Sequence, residues 1–437
     1  MDISTISILL VVALIILLAM GLPLAFATGS IATMLTLYLY GPEALQIVGA
    51  RIYDVMGNYV LLAVPLFIFM ANMLERAGVA EQMYGAIHIW CRRIPGGMAV
   101  ATIAACAIMG AMVGIIGAEI VTLGYIAVPA MIKRGYHKRI ALGCVGAGGG
   151  LAVLIPPSIV FVVYAMTTGV SVGKLFVAGV LPGLLLATIF SIYIIIRCLL
   201  NPELAPPPPK QELLLTFRER AQRLKGLILP FFIAFGVLGT IYAGVATPTE
   251  AAGVGCIGAT VACLINKRLN WETVKTVMQN TLLVTAMLYW IIFGALSLVA
   301  IYNLAGGAKF MKSVITGLPF GPLGILLFIQ VIWIFLGCIL DMLGILMLTV
   351  PLFTPIVVDL GYDPIWFGVI FCLNMQIGYI SPPFAPSAFY LKGVVSQDIT
   401  LNEIFLSTMP YIPLIVIALL LVTFFPEIAL WLPRIVK

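Results

Sequence analysis

Charged side chains are scarce in this sequence: Asp, Glu, Lys and Arg make up only 9% of its 437 residues. A soluble domain keeps about a quarter of its residues charged in order to stay hydrated, so water is excluded as the chain's main solvent. Histidine is scarcer still. His88 and His137 have no partners at ligand spacing, which argues against a metal centre. The eight cysteines lie mostly within or beside apolar segments and none form a CxxC, so they read as small core hydrophobes with neither a zinc site nor a disulfide framework. No Gly-rich loop ends in a P-loop lysine, which excludes ATP hydrolysis by the chain itself. No Ser/His/Asp set or metal pair stands out, so the chain is not expected to be an enzyme. The first twenty residues lack a basic n-region and a small-residue cleavage site, and they read as a retained membrane helix, not a signal peptide.

What is present is apolar surface. Hydrophobic residues make up 62% of the chain and its mean hydropathy is +1.17, which predicts an all-α polytopic membrane protein surrounded by lipid. The net charge of +6 is no nucleic-acid signal, because the basic residues sit in short loops at helix ends. Apolar segments run over 5–20, 23–40, 58–74, 98–131, 140–168, 175–198, 226–243, 249–265, 280–304, 323–358, 365–391 and 403–432. A helix needs about 20 apolar residues to cross the hydrocarbon core. Segments 98–131 and 323–358 are longer than one crossing and too short for two, and each has a glycine-rich or polar centre. They read as re-entrant helical hairpins, whose non-helical tips survive only where protein or a water-filled cavity covers them. Segments 140–168 and 365–391 are interrupted instead, by Gly148-Gly149-Gly150 with Ile155-Pro156-Pro157-Ser158 and by Ile380-Ser381-Pro382-Pro383. Each Pro-Pro removes two backbone donors and disfavours helix at the residue before it.

The two interruptions belong to an internal duplication. At a constant offset of 226, Pro129 meets Pro355, Gly135 meets Gly361, Tyr136 meets Tyr362, Pro156 meets Pro382, Pro157 meets Pro383 and Tyr164 meets Tyr390. At an offset of 228, Ala77, Gly78, Ala80 and Met83 meet Ala305, Gly306, Ala308 and Met311. The expected organisation is a first repeat over 1–198, with scaffold helices to about 92 and transport elements over 93–198. A second repeat spans 226–437, with scaffold to about 320 and transport elements from 321. Between them, 199–225 forms a hydrophilic linker with Pro206 to Pro209 and a basic segment.

A cytoplasmic linker obeys the positive-inside rule through Arg197, Lys210, Arg218, Arg220, Arg223 and Lys225. Counting crossings from it leaves only Arg51, Lys174, Lys309, Lys312, Arg434 and Lys437, of the 23 basic residues, on the outer side. The hairpins then open to opposite sides and both termini lie outside. The repeats are therefore expected to be inverted, which is the arrangement that supports alternating access.

Paired discontinuous helices mark a transport site. The half-helix before each break exposes carbonyls suited to Na⁺, and the half-helix after it exposes N–H groups suited to a carboxylate or sulfonate. Gly148, Gly149, Gly150 and Ile155 are the carbonyl candidates in one repeat, with Tyr379, Ile380 and Ser381 in the other. Pro156, Pro157, Ser158, Pro382, Pro383 and Phe384 flank the anion side. Close helix packing by the glycines and a simple kink at the prolines would give the same pattern. Among acids within apolar segments, Glu119 and Asp341 fall near the hairpin tips, where each either meets the coupling cation or caps a half-helix. Glu250, in Thr247-Pro248-Thr249-Glu250, reads as a helix cap. The stretches 79–92, with His88 and Trp90, and 270–280, with Trp271, read as amphipathic helices lying at the interface.

Over essentially its whole length the chain resembles the large membrane subunit of tripartite ATP-independent periplasmic (TRAP) transporters, the DctM-like family. The motifs that carry the resemblance are Ala63-Val64-Pro65-Leu66-Phe67-Ile68-Phe69, Leu154-Ile155-Pro156-Pro157-Ser158-Ile159, Ala246-Thr247-Pro248-Thr249-Glu250-Ala251-Ala252 and Ser381-Pro382-Pro383. The resemblance implies an elevator-type Na⁺ symporter in the bacterial inner membrane. It implies a small four-helix membrane subunit as partner and a periplasmic binding protein that delivers a small organic anion. Sodium sites carried over from the family fall on Gly110, Ala111, Gly114, Gly148 to Gly150 and Ile155, and on Gly337, Asp341, Gly344, Ile380 and Ser381. The family's first hairpin tip is often Gly-Ser-Ser-Pro-Ala-Thr, whereas here it is Gly114-Ile115-Ile116-Gly117-Ala118-Glu119, losing hydroxyls and gaining a carboxylate. After the second Pro-Pro many members have Val-Gly, and here Phe384-Ala385-Pro386 follows. The stretches Trp366-Phe367-Gly368 and Phe389-Tyr390-Leu391-Lys392-Gly393 look more like the branch associated with mannitol, chloroaromatic acids and 2-oxo acids than the C4-dicarboxylate branch. A stand-alone Na⁺- or H⁺-coupled symporter without partner subunits is the alternative reading.

Overall fold

The computed structural model describes residues 2–114, 117–207 and 224–436. The hairpin residues Ile115 and Ile116, and the linker from Pro208 to Arg223, lie outside the described residues. All regular elements among the described residues are helical. The first half comprises α1 (Ile3–Ala19), α2 (Leu24–Tyr40), α3 (Leu45–Met56), α4 (Ala63–Arg76) and α5 (Val79–Cys91), then α6 (Gly97–Val113), α7 (Ala118–Lys133), α8 (Lys138–Gly148), α9 (Leu151–Leu154), α10 (Ile159–Thr168) and α11 (Val172–Leu200). The second half comprises α12 (Lys225–Tyr242), α13 (Pro248–Ile265), α14 (Trp271–Leu304) and α15 (Gly307–Thr316). After these come α16 (Pro322–Gly337), α17 (Met342–Asp359), α18 (Pro364–Ile380), α19 (Pro386–Lys392), α20 (Leu401–Thr408), α21 (Ile412–Phe424) and α22 (Glu427–Ile435).

Among the described residues, seven helices or helix runs are long and apolar enough to cross a membrane, and shorter apolar helices such as Ile3–Ala19 and Pro322–Gly337 accompany them. Several helix starts are capped by a side chain of the residue just before them. Ser171, Asn270, Asp341, Asp363 and Thr400 each accept an amide of the first turn. At α13 the expected cap is a full capping box. The Thr247 N–H donates to Glu250 Oε2 at 2.7 Å, and the Glu250 N–H donates to Thr247 Oγ1 at 3.3 Å.

Helices of the two halves interleave. α2 packs along α14, and α4 packs along α13. Gly294 lets α14 approach α2 so closely that a Cβ there would strike the Ala25 carbonyl. Arg268 pairs with Glu81 at 3.1 Å, and Asn266 donates to the Ala77 carbonyl at 2.8 Å, joining the ends of these layers. The interrupted segment Lys138–Thr168 runs through the interior. Its apolar window is 94% buried, against 39% for Pro248–Ile265, so the break sits inside the protein while α13 lies at its surface.

Two expectations are corrected here. Residues 270–280 are not a separate interfacial helix. They are the opening turns of the 34-residue α14, because Asn270 caps at Thr273 and neither proline nor glycine interrupts the run before Gly294. The apolar segment 403–432 is not one helix either. A 3-10 turn at Met409–Tyr411 and a stop before Pro426 divide it into α20, α21 and α22.

Candidate functional site

Both long segments fold as helical hairpins, α6–α7 and α16–α17. In the first, α6 ends at Gly114 in the left-handed region (φ +62°), where glycine carries no steric cost. Its carbonyl accepts the Ile159 N–H at 3.3 Å, which ties the tip to the start of α10. A Cβ on Gly114 would strike the Pro157 carbonyl. Gly117 (φ +97°) restarts the chain against the ring of Tyr390, 2.9 Å from where a Cβ would stand. One turn back, Gly110 lies against the backbone of Ala152, while Ala111 is only partly buried. Glu119, in the first turn of α7, is wholly buried with neither carboxylate oxygen partnered.

The first interruption has two steps, one at Gly149–Gly150 and one at Ile155–Ser158. Gly148 packs on Cys106 Sγ and Gly149 on the Ile120 side chain, so close packing accounts for both glycines. Gly150 has a different environment: a Cβ there would lie 3.2 Å from Gln376 Oε1 and 3.5 Å from the Tyr379 ring. Ile155 turns extended (φ −79°, ψ 121°) ahead of the cis Pro156–Pro157 bond. Ser158 is wholly buried and donates through Oγ to the Val153 carbonyl at 2.6 Å, satisfying one acceptor that the break exposes. Among the described residues no donor reaches the carbonyls of Leu154 and Ile155, and no acceptor reaches the amides of Val160 and Phe161. The two half-helix ends at this break are therefore bare, one electronegative and one electropositive.

The second half repeats the plan. Gly337 ends α16 against the backbone of Gly378, and the turn leads to Asp341, which caps α17 by accepting the Leu343 N–H at 3.0 Å. Gly344 faces the Leu24 side chain of α2. α18 ends at the buried Ile380, Ser381 turns extended, and the cis Pro382–Pro383 bond follows. The Ala385 N–H donates to the Ser381 carbonyl at 3.1 Å, and Phe384 is 37% exposed. α18 packs on α9 and α10, and α19 packs on α7 and α8, so the two interruptions and the first hairpin tip form one site.

Sequence reasoning missed several polar side chains at this crossing. Asn374, Gln376, Tyr379 and Ser387 are buried to 2% exposure or less, and each keeps at least one unpartnered polar atom. The rule that singled out Glu119 and Asp341, polar groups within an apolar span, applies equally to Asn374, Gln376 and Tyr379 just before a Pro-Pro and to Ser387 just after it.

The chain is similar to known proteins over nearly its full length. The family model described as the tripartite ATP-independent periplasmic transporter, DctM component, matches residues 11–428. The C4-dicarboxylate TRAP transporter large permease protein DctM of Pseudomonas aeruginosa is 32% identical over 403 residues, 92% of each chain. The ectoine/5-hydroxyectoine TRAP transporter large permease protein UehC of Ruegeria pomeroyi is 31% identical over 374 residues, 85% of each chain. Among solved structures, the YdaH transporter of Alcanivorax borkumensis superposes with a TM-score of 0.56 at 16% identity, covering 94% of this chain and 96% of that one, a likeness of fold alone. A helical, multi-pass chain built around two hairpins and two interrupted helices, matched by this family model over residues 11–428, belongs to the DctM family of TRAP transporter large permease subunits and is not an enzyme.

Proposed function

We propose that this chain is the translocating subunit of a Na⁺-coupled TRAP transporter in the bacterial inner membrane. It imports a small organic anion, a carboxylate or sulfonate, that a periplasmic binding protein delivers. A small four-helix membrane subunit covers part of its lipid-facing scaffold. The observation that carries this reading is the pair of interrupted helices meeting at Gly150, Gln376 and Tyr379, with unsatisfied carbonyls at Leu154 and Ile155 and unsatisfied amides at Val160 and Phe161. Bare main-chain groups inside a membrane protein are costly unless a ligand completes them. The carbonyl ends suit Na⁺ and the amide ends suit the anion.

On this reading Gly110, Ala111, Gly114, Glu119, Gly148, Gly149, Gly150 and Ile155 surround one cation position. Gly337, Asp341, Gly344, Ile380 and Ser381 surround the other. Pro156, Pro157, Ser158, Pro382, Pro383 and Phe384 border the anion. The transport elements, 93–198 and 321–437, move as an elevator against the scaffold, 1–92 and 226–320. The linker 199–225 is cytoplasmic and both termini are periplasmic. Uptake into proteoliposomes is expected to need a Na⁺ gradient, the small subunit and the binding protein together. Uptake driven by protons without Na⁺ overturns the coupling, and uptake by the chain alone overturns the partner requirement.

A further inference from the structure

The helices that follow the two breaks cross over to the opposite half. α10, after the first break, packs on α17, the returning arm of the second hairpin. α19, after the second break, packs on α7, the returning arm of the first. Each therefore links the break of one half to the hairpin of the other. Tyr164 and Tyr390 are repeat mates on these two helices, at the offset of 226. Their surroundings differ. Tyr164 is wholly buried, its hydroxyl donates to the Pro364 carbonyl at 2.7 Å, and its ring lies 2.8 Å from a Cβ built on Gly368. These contacts fix α10 on the start of α18. Tyr390 is 43% exposed and closes on the first hairpin tip instead, its Cε2 lying 2.9 Å from where a Cβ on Gly117 would stand.

α19 joins that tip to the second break. At its far end Lys392 donates to the carbonyls of Gln397 at 3.2 Å and Ile399 at 2.7 Å, and Leu391 and Val394 fill the space that a side chain on Gly124 would need. At its near end the Ala385 N–H donates to the Ser381 carbonyl at 3.1 Å. Ala385 itself stands at φ +27°, ψ 67°, a conformation costly to an L side chain and kept where neighbours impose it. Ile380 and Ser381 are assigned to the second cation position, so the turn that binds that cation also sets where α19 begins. Tyr390 is within electrostatic reach of Asp341, the cap of α17, and of Tyr379, the residue before Ile380. It touches one hairpin tip and faces the other.

We infer that Tyr390 is a positioning residue that couples the two cation positions. Na⁺ at the second position orders the turn from Ser381 to Ala385 and with it α19, and the Tyr390 ring then holds the first hairpin tip over its own position. By linkage, Na⁺ at the first position raises the affinity of the second by the same factor. The ring acts through contact with Gly117, so the coupling needs a flat apolar ring at 390 and not its hydroxyl. This rests on the Na⁺-coupled reading and adds the residue through which its two cation positions communicate.

The test is equilibrium binding of radiolabelled Na⁺ to the purified full chain in detergent, with choline keeping the ionic strength constant. The unmodified chain is expected to bind with a Hill coefficient above 1. Tyr390→Leu should bring that coefficient to about 1 and raise the half-saturating Na⁺ concentration about fivefold or more. Its unfolding midpoint without Na⁺ should stay at the unmodified value, and Tyr390→Phe should keep the unmodified binding curve. Should Tyr390→Leu fail to fold, Tyr390→Met, which keeps length and apolar bulk without the flat ring, takes its place with the same expected outcome. An unchanged binding curve in the ring-less variant overturns the inference, and so does Tyr390→Phe behaving like Tyr390→Leu, which would place the effect in the hydroxyl. A lowered Na⁺-free midpoint in the ring-less variant makes Tyr390 a packing residue and overturns it too. Saturable but non-cooperative binding by the unmodified chain overturns this inference alone, whereas no saturable Na⁺ binding overturns the Na⁺-coupled reading itself.

Discussion

Gly337 and Gly378 meet backbone to backbone: a Cβ built on Gly378 would lie 2.7 Å from the Cα of Gly337. The first half makes the corresponding contact between Gly110 and Ala152, where a Cβ on Gly110 would lie 2.9 Å from the Ala152 Cα. In each half the first hairpin arm is therefore pressed against the helix that leads into the Pro-Pro break, and the tip is held over the break. Gly378→Ala is expected to force the arms apart at a cost of about 1–3 kcal/mol, the range for overpacking a well-packed contact. The readout is a lowered unfolding midpoint in detergent, and an unchanged midpoint removes the contact from the set that holds the site.

Gly114 combines a left-handed backbone with the Pro157 carbonyl where a side chain would start. Backbone cannot yield as a flexible side chain does, so Gly114→Ala should displace the tip from Ile159 and abolish uptake. The α2–α14 and α4–α13 pairs should stay folded, since each is held by its own long helix–helix packing. Normal uptake by Gly114→Ala contradicts the role given to this tip.

Asp341 caps α17 through the Leu343 amide, and the same carboxylate is proposed to meet a cation. Asparagine caps a helix about as well as aspartate, whereas alanine costs about 1 kcal/mol. Asp341→Asn should therefore keep the folding yield and weaken the Na⁺ dependence of uptake several-fold, with Asp341→Ala losing both. Unaltered Na⁺ dependence in Asp341→Asn leaves Asp341 as a cap alone.

The capping box at Thr247 and Glu250 serves the start of α13. Thr247→Ala is expected to lower stability by about 1 kcal/mol and to leave the apparent Na⁺ and substrate affinities of uptake unchanged. A shift in either affinity would tie this helix start to the transport cycle.

Elements that depend on neighbours in sequence were legible in advance. The Pro-Pro interruptions, the hairpin turns, and the caps at Thr247 and Asp341 follow from proline's missing donor and from side chains that reach only the next turn. The unbroken α14 was misread because Trp271 and Lys275 make its opening turns look interfacial, and the caps alone do not reveal whether a helix stops. Gln376 and Ser387 were passed over, and Tyr379 was named for its carbonyl alone, because having no side-chain partner is something only assembled neighbours reveal.

By itself, the sequence determined the solvent, the helical class, the twofold plan and the positions of both interruptions, because these depend on composition, spacing and local backbone chemistry. Only the tertiary structure decided that Gly148 and Gly149 abut Cys106 and Ile120 while Gly150 faces Gln376 and Tyr379. It likewise decided that the first hairpin tip is bonded to α10 through Gly114 and Ile159. Contacts between residues hundreds of positions apart are settled by how helix surfaces fit, and that fit is a property of the whole packed molecule, with no trace in any single stretch of chain.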